Sequence, residues 1–175
     1  MVNTLHLGLI GLGETGNAVA ELVSRNLPGT HISGWTRSVH RRRTAKKLAH
    51  VHELFSDPAI AVLYCDVVIL CTPPASQPEL CRYIAPALAT GAIVSDLGSA
   101  KTRNMVALRK LLPPRVDLIH THPLMLLDPA RFENNEAMTP CFLMPAPGSR
   151  KVAIKRISQF WGRCGFKPEI ATPKQ

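Results

Sequence analysis

Residues Thr4 to Gly16 read T-L-H-L-G-L-I-G-L-G-E-T-G, and this stretch decides the fold. Thr4 to Ile10 is a short apolar strand that runs into glycines. Gly11-Leu12-Gly13-Glu14-Thr15-Gly16 then matches G-x-G-x-x-G. In that spacing the first glycine permits a tight turn, the second lets a pyrophosphate approach the backbone, and the third lets helix pack on strand. The phosphates meet free N–H groups at the positive end of the helix. Glu14 to Leu27 supplies that helix, with Val19, Leu22, Val23 and Leu27 at helical spacing and a stop at Pro28-Gly29. Strand, glycine loop and helix in this order are the context the motif requires, so dinucleotide binding is the expected chemistry. Glu14 is expected to turn its carboxylate away from the pyrophosphate.

The rest of the chain repeats the alternation. Strands are expected at His31–Trp35, Val51–Phe55, Val67–Cys71, Ala92–Ser95, Val116–His120, Cys141–Met144 and Phe166–Ile170. Helices are expected at Ser38–Ala49, after an Asp57-Pro58 cap, from a Ser76/Glu79 capping box to about Leu88, and at Lys101–Leu112 and Arg150–Cys164. Val67 to Cys71, V-V-I-L-C, is continuously apolar, as in a parallel sheet covered on both faces. The expected fold is therefore a Rossmann-type, doubly wound, mostly parallel α/β sheet with helices on both faces. With 175 residues there is room for one such layered domain, and no internal repeat or linker divides it.

Composition narrows the function classes. At 46% apolar and 19% charged residues the chain is of ordinary globular make-up. No apolar run approaches a membrane span, and glycines break up the apolar start, so neither a membrane segment nor a signal peptide is expected. Five cysteines without a C-x-x-C pair fit neither a zinc site nor a secreted disulfide framework, so a cytoplasmic protein with no metal is expected. Twenty-one Lys and Arg against twelve Asp and Glu give +9, a balance open to nucleic acid, an anionic membrane or an anionic small molecule. Arg41, Arg42, Arg43, Lys46 and Lys47 form the densest cluster and contain no interleaved aromatic.

The second strand ends in Trp35-Thr36-Arg37-Ser38, where an NAD site usually carries Asp or Glu for the ribose 2′-hydroxyl. No acid stands there. Thr36 and Ser38 offer hydroxyls, Arg37 a cation, and Arg41 a second cation one turn further on. These groups suit a 2′-phosphate, so NADP is expected rather than NAD.

Three more signals follow: Cys71-Thr72-Pro73-Pro74, Asp96-Leu97-Gly98-Ser99-Ala100-Lys101 and His120-Thr121-His122-Pro123. All are expected at the C-terminal ends of strands, where open α/β sheets bind ligands. With the glycine loop, the D-L-G-S-A-K and H-P-L stretches resemble the cofactor domain of prephenate and arogenate dehydrogenases. The resemblance covers essentially the whole chain. It implies oxidative decarboxylation of a cyclohexadienyl substrate, with hydride passing to the nicotinamide, a base handling the hydroxyl proton, and carbon dioxide leaving as the ring becomes aromatic. His122 takes the place of the family's catalytic histidine, and an imidazole can accept a proton near neutrality. Ser99 matches the serine that bonds the substrate hydroxyl or the histidine and nicotinamide region, and Lys101 helps hold the site or an anionic group. Cys71, Thr72 and Pro73 are expected at the cofactor, the last two lining the nicotinamide ribose. His120, two residues from His122 on the same strand edge, is the competing histidine.

Two departures stand out. Met125-Leu126-Leu127 follow H-P-L where the family often has a glycine. The chain also reaches Ala171-Thr172-Pro173-Lys174-Gln175 where the family's helical second domain would begin. Residues 1–170 are accordingly expected to form the dinucleotide-binding domain and 171–175 the stub of a linker, with the helical domain absent. In the family that domain carries the dimer interface and the cationic group for the substrate carboxylates, so a homodimer is left open here. The expected partner is a small molecule, prephenate or arogenate, and neither nucleic acid nor membrane. The competing readings are an NADP(H)-binding module without catalysis and the cofactor domain of a β-hydroxyacid-dehydrogenase-like reductase.

Overall fold

The computed structural model describes residues 4–40, 50–97, 101–124, 126–127 and 139–171, with only the backbone described at 101–103. The strands are β1 (His6–Ile10), β2 (His31–Trp35), β3 (Glu53–Phe55), β4 (Val67–Leu70), β5 (Ile93–Asp96), β6 (Asp117–Pro123), β7 (Thr139–Pro145) and β8 (Phe166–Ile170). The helices are α1 (Glu14–Asn26), α2 (Pro58–Ala61), α3 (Gln77–Ile84), α4 (Lys101–Leu111) and α5 (Lys151–Arg163). One eight-stranded sheet runs in the order β3-β2-β1-β4-β5-β6-β7-β8. All pairs are parallel except β6 with β7. The expected doubly wound, mostly parallel architecture is the observed one. Successive crossovers diverge between β1 and β4, which opens the crevice at which such sheets bind ligands.

Helices cover both faces. Val19, Leu22 and Val23 of α1 and Ile157, Phe160 and Trp161 of α5 share a core with Leu7, Leu9, Val67, Ile69 and Ile93. On the opposite face Leu80, Cys81 and Ile84 of α3 and Met105 and Leu108 of α4 meet Ile10, Val68, Leu70, Val94 and Leu118. The even-odd alternation along each strand sorts the two cores. All four residues of β4 are buried, as its unbroken apolar run requires.

Several boundaries differ from expectation, each for an identifiable reason. Asp57 caps α2 through Oδ1, which accepts from the Ala59 amide at 2.8 Å, with Pro58 in the first turn as expected. Ser76 does not cap α3. A 3-10 turn at Pro74–Ser76 puts it in helical conformation, and its hydroxyl donates backwards to the Pro73 carbonyl at 2.9 Å. Helix α3 stops at Ile84 rather than near Leu88, because Pro86 lacks an amide hydrogen and a 3-10 turn at Ala85–Ala87 follows. Strand β6 runs on to Pro123 because β7 pairs against it there, Pro123 opposite Cys141. His122 thus lies within the strand rather than beyond it. Most of the expected basic helix, residues 41–49, lies outside the described residues.

The five cysteines are free thiols. Burial, helped by Asp66 at Cys65 and by Asp96 at Cys81, pushes both buried thiols from 9.0 up to about 12. The unfolded chain loses these protons near pH 9 and the folded chain near 12. Their contribution to stability is therefore complete below pH 9 and is lost as pH rises from there. Stability should fall by roughly 1.4 kcal/mol per thiol for each pH unit above 9. Urea unfolding at neutral and alkaline pH measures this, and a Cys65→Ala, Cys81→Ala double variant should lose that part of the slope.

Candidate dinucleotide site

The glycine loop has the shape its spacing implies. Gly11 adopts φ +108°, and a Cβ there would sit 2.7 Å from Thr72 Cγ2 and 3.0 Å from the Cys71 carbonyl. A Cβ on Gly16 would lie 2.1 Å from the Gly11 carbonyl oxygen, so α1 docks on the loop only because that atom is missing. Gly16→Ala should cost about 3 kcal/mol or more, since backbone rather than a pliable side chain must move. Thermal unfolding checks this, and a variant as stable as the wild type would contradict the packing. Gly13 is the N-cap of α1 and supplies no side-chain cap, which leaves the first-turn amides for an anion. Glu14 is exposed, Thr15 half-buried and Gly16 buried.

A cleft of about 320 Å³ opens over this loop. Gly11, Leu12 and Gly13 form its floor, Trp35, Thr36, Arg37 and Ser38 one end, and Cys71, Thr72 and Pro73 the other, with Ala75, Ser76 and Leu80 as wall. The structure thus brings together three stretches that lie far apart in the chain. The turn is held shut by hydrogen bonds from the Gly11 amide to the Trp35 carbonyl and from the Cys71 amide to the Ile10 carbonyl, both 2.8 Å. Thr36 is buried, Ser38 half-buried and Arg37 exposed, and none of the described lining residues is acidic. Burial, with Asp96 adding, pushes the Cys71 thiol up to about 12. Thr72 Oγ1 is buried without a partner among the described residues. Glycines that make room, free helix amides, a cation and an orphaned hydroxyl fit a dinucleotide. Arg41 lies outside the described residues.

Beside the cleft, Asp96 ends β5, and His120 and His122 lie on β6. Strand alternation puts all three on the α3/α4 face. His122 is half-buried, opposite Phe142 of β7. Ser99 lies outside the described residues, and of Lys101 only the backbone, as first residue of α4, is described. Asp96 Oδ1 accepts from Gln77 Nε2 at 2.9 Å, and Oδ2 accepts from Asn104 Nδ2 at 3.2 Å and His120 Nδ1 at 3.1 Å. On the other face Ser95 Oγ and Thr121 Oγ1 are 2.8 Å apart. Gln77 and Asn104 were not among the sequence-derived site residues. Their signal was a polar residue on an apolar stripe: Gln77 precedes Leu80, Cys81 and Ile84 at i+3, i+4 and i+7, and Asn104 stands four residues before Leu108.

A parallel sheet with a glycine loop at its switch point and a helix N-terminus facing the cleft defines a Rossmann-type nucleotide-binding domain. The family model for the prephenate dehydrogenase nucleotide-binding domain matches residues 19–167, and the chain belongs to that family. It is 28% identical over 169 residues to a cyclohexadienyl dehydrogenase of Zymomonas mobilis, covering 91% of this chain and 56% of that protein. The fold matches a prephenate dehydrogenase from Aquifex aeolicus, solved with hydroxyphenyl propionate and NAD+, at a TM-score of 0.83 and 19% identity, covering 99% of this chain and 62% of that one. It also matches an arogenate dehydrogenase from Synechocystis at a TM-score of 0.80 and 22% identity, covering 97% and 60%. The chain therefore spans little more than half the length of these relatives. Among the described residues no helix is long and apolar enough to cross a membrane.

Proposed function

We propose that this chain is the NADP-binding part of a dehydrogenase acting on prephenate or arogenate. The observation that carries the cofactor reading is the cleft itself, which joins the glycine loop to Thr36, Arg37 and Ser38 and has no acidic residue among its described lining residues. The first-turn amides of α1 hold the pyrophosphate, and Arg37 with the two hydroxyls, joined by Arg41, hold the 2′-phosphate. Thr72 and Pro73 face the nicotinamide ribose. When bound, NADP supplies a hydride acceptor for the ring carbon that bears the substrate hydroxyl. His122 takes the hydroxyl proton, Ser99 orients that hydroxyl by a hydrogen bond, and Lys101 holds an anionic group nearby. The substrate carboxylate leaves as carbon dioxide, its bonding electrons completing the aromatic ring.

Family membership and the D-L-G-S-A-K to H-P-L pairing support this reaction over that of another two-domain reductase. The test is NADPH formation by the chain at high protein concentration with each of the two substrates. Reduction that depends on one of them is the expected result. Cofactor binding without turnover of either would favour a nucleotide-binding module instead.

A further inference from the structure

The hydrogen bonds around Asp96 reach further than one carboxylate. Gln77 Nε2, besides donating to Asp96, donates to the Thr72 carbonyl at 3.0 Å, and Asn104 Nδ2 also donates to Gln77 Oε1. Gln77, Asp96 and His120 are each at most 1% exposed. The chain positions of the four residues give the network its meaning. Asp96 immediately precedes, and Asn104 closely follows, the stretch that contains Ser99 and Lys101. Thr72 follows β4 and lines the cleft, and His120 shares a strand and a face with His122. The buried carboxylate at the end of β5 therefore ties together the segment that follows β4 and the middle of β6.

A dinucleotide bound across the switch point places its adenosine half over the end of β2 and its other half over β4, β5 and β6. We propose that Gln77, Asp96, Asn104 and His120 form a positioning network for the nicotinamide half of the cofactor, a proposal that rests on the dinucleotide reading of the cleft. These side chains act through Thr72, whose carbonyl Gln77 holds, and fix where it stands when the ring arrives. His120 works through Asp96: the carboxylate can only accept, so Nδ1 carries the proton, while Nε2 is buried without a partner among the described residues.

The intact chain is titrated with NADPH, whose ring emission rises when the nicotinamide is immobilised, and with 2′-phospho-ADP-ribose, which lacks that ring. In His120→Leu the emission gain at saturation should fall by about half while affinity for the fragment stays within about twofold, since only the ring's surroundings loosen. His120→Asn should restore the gain, because its amide nitrogen stands where Nδ1 stood and can donate to Asp96. If His120→Leu does not fold, Asn104→Leu removes another donor to the same carboxylate and should show the same split. An unchanged gain, a parallel loss of fragment affinity, no rescue by asparagine, or a wild-type chain that binds NADPH without any gain overturns the proposal. A wild-type chain that binds neither ligand overturns the dinucleotide reading itself and this network with it.

Discussion

Replacing His122 by Asn is expected to lower turnover by about 10² to 10⁴ while leaving cofactor affinity unchanged, the range set by loss of a positioned acid or base. Position 122 makes the two effects separable. The backbone there is held by pairing with Phe142 on β7, and the neighbouring pairs Thr121 with Leu143 and Pro123 with Cys141 continue the register. The residue is half-buried and is not among the described residues that line the cleft. Asparagine fills much of the same space and can hydrogen-bond, but it cannot take up a proton near neutral pH. Steady-state rates with prephenate or arogenate, set beside NADP titrations of the same variant, give both numbers. Cofactor binding lost together with turnover would assign His122 a structural role.

Arg37→Asp should weaken NADP roughly a hundredfold and NAD by no more than about threefold, the size expected when a charge-assisted phosphate contact is replaced by a like charge. Thr36 and Ser38 remain in the variant to hold either ribose, and the new carboxylate can accept from a 2′-hydroxyl. Arg37 is exposed, so screening limits the effect, and the gap between the cofactors should narrow as salt is raised. Equal losses for both cofactors would remove the 2′-phosphate from this end of the cleft.

The fold was legible because its signals are local and agree with one another. Val67 to Leu70 has no polar residue to expose, Pro28-Gly29 ends α1, and Gly11 and Gly16 mark a turn that no other residue fits. The errors fell where a strand partner or a neighbouring turn decides. Strand β6 extends through His122 only because β7 pairs with it, and nothing in residues 116–123 announces that partner. Ser76 had the sequence of a capping residue, but the proline-led turn before α3 had already set its backbone.

The site divides along the same line. Residues that meet a ligand through backbone shape, such as Gly11, Gly13 and Gly16, could be read from spacing. Gln77 and Asn104 could not be assigned, because their role exists only once two helices bring them to Asp96. Asp96 itself was visible as the first letter of a motif, yet Gln77, Asn104 and His120, which donate to it, come from α3, α4 and β6. The +9 charge is only partly placed by Arg37 in the cleft.

Titration of the wild-type chain with NADP and with NAD, followed by the fluorescence of the cleft residue Trp35, tests the central claim most directly. The account predicts saturable binding of both, with NADP at least about tenfold tighter because only it brings the phosphate that Arg37 can engage. Failure of either dinucleotide to bind, or NAD binding more tightly than NADP, would contradict it.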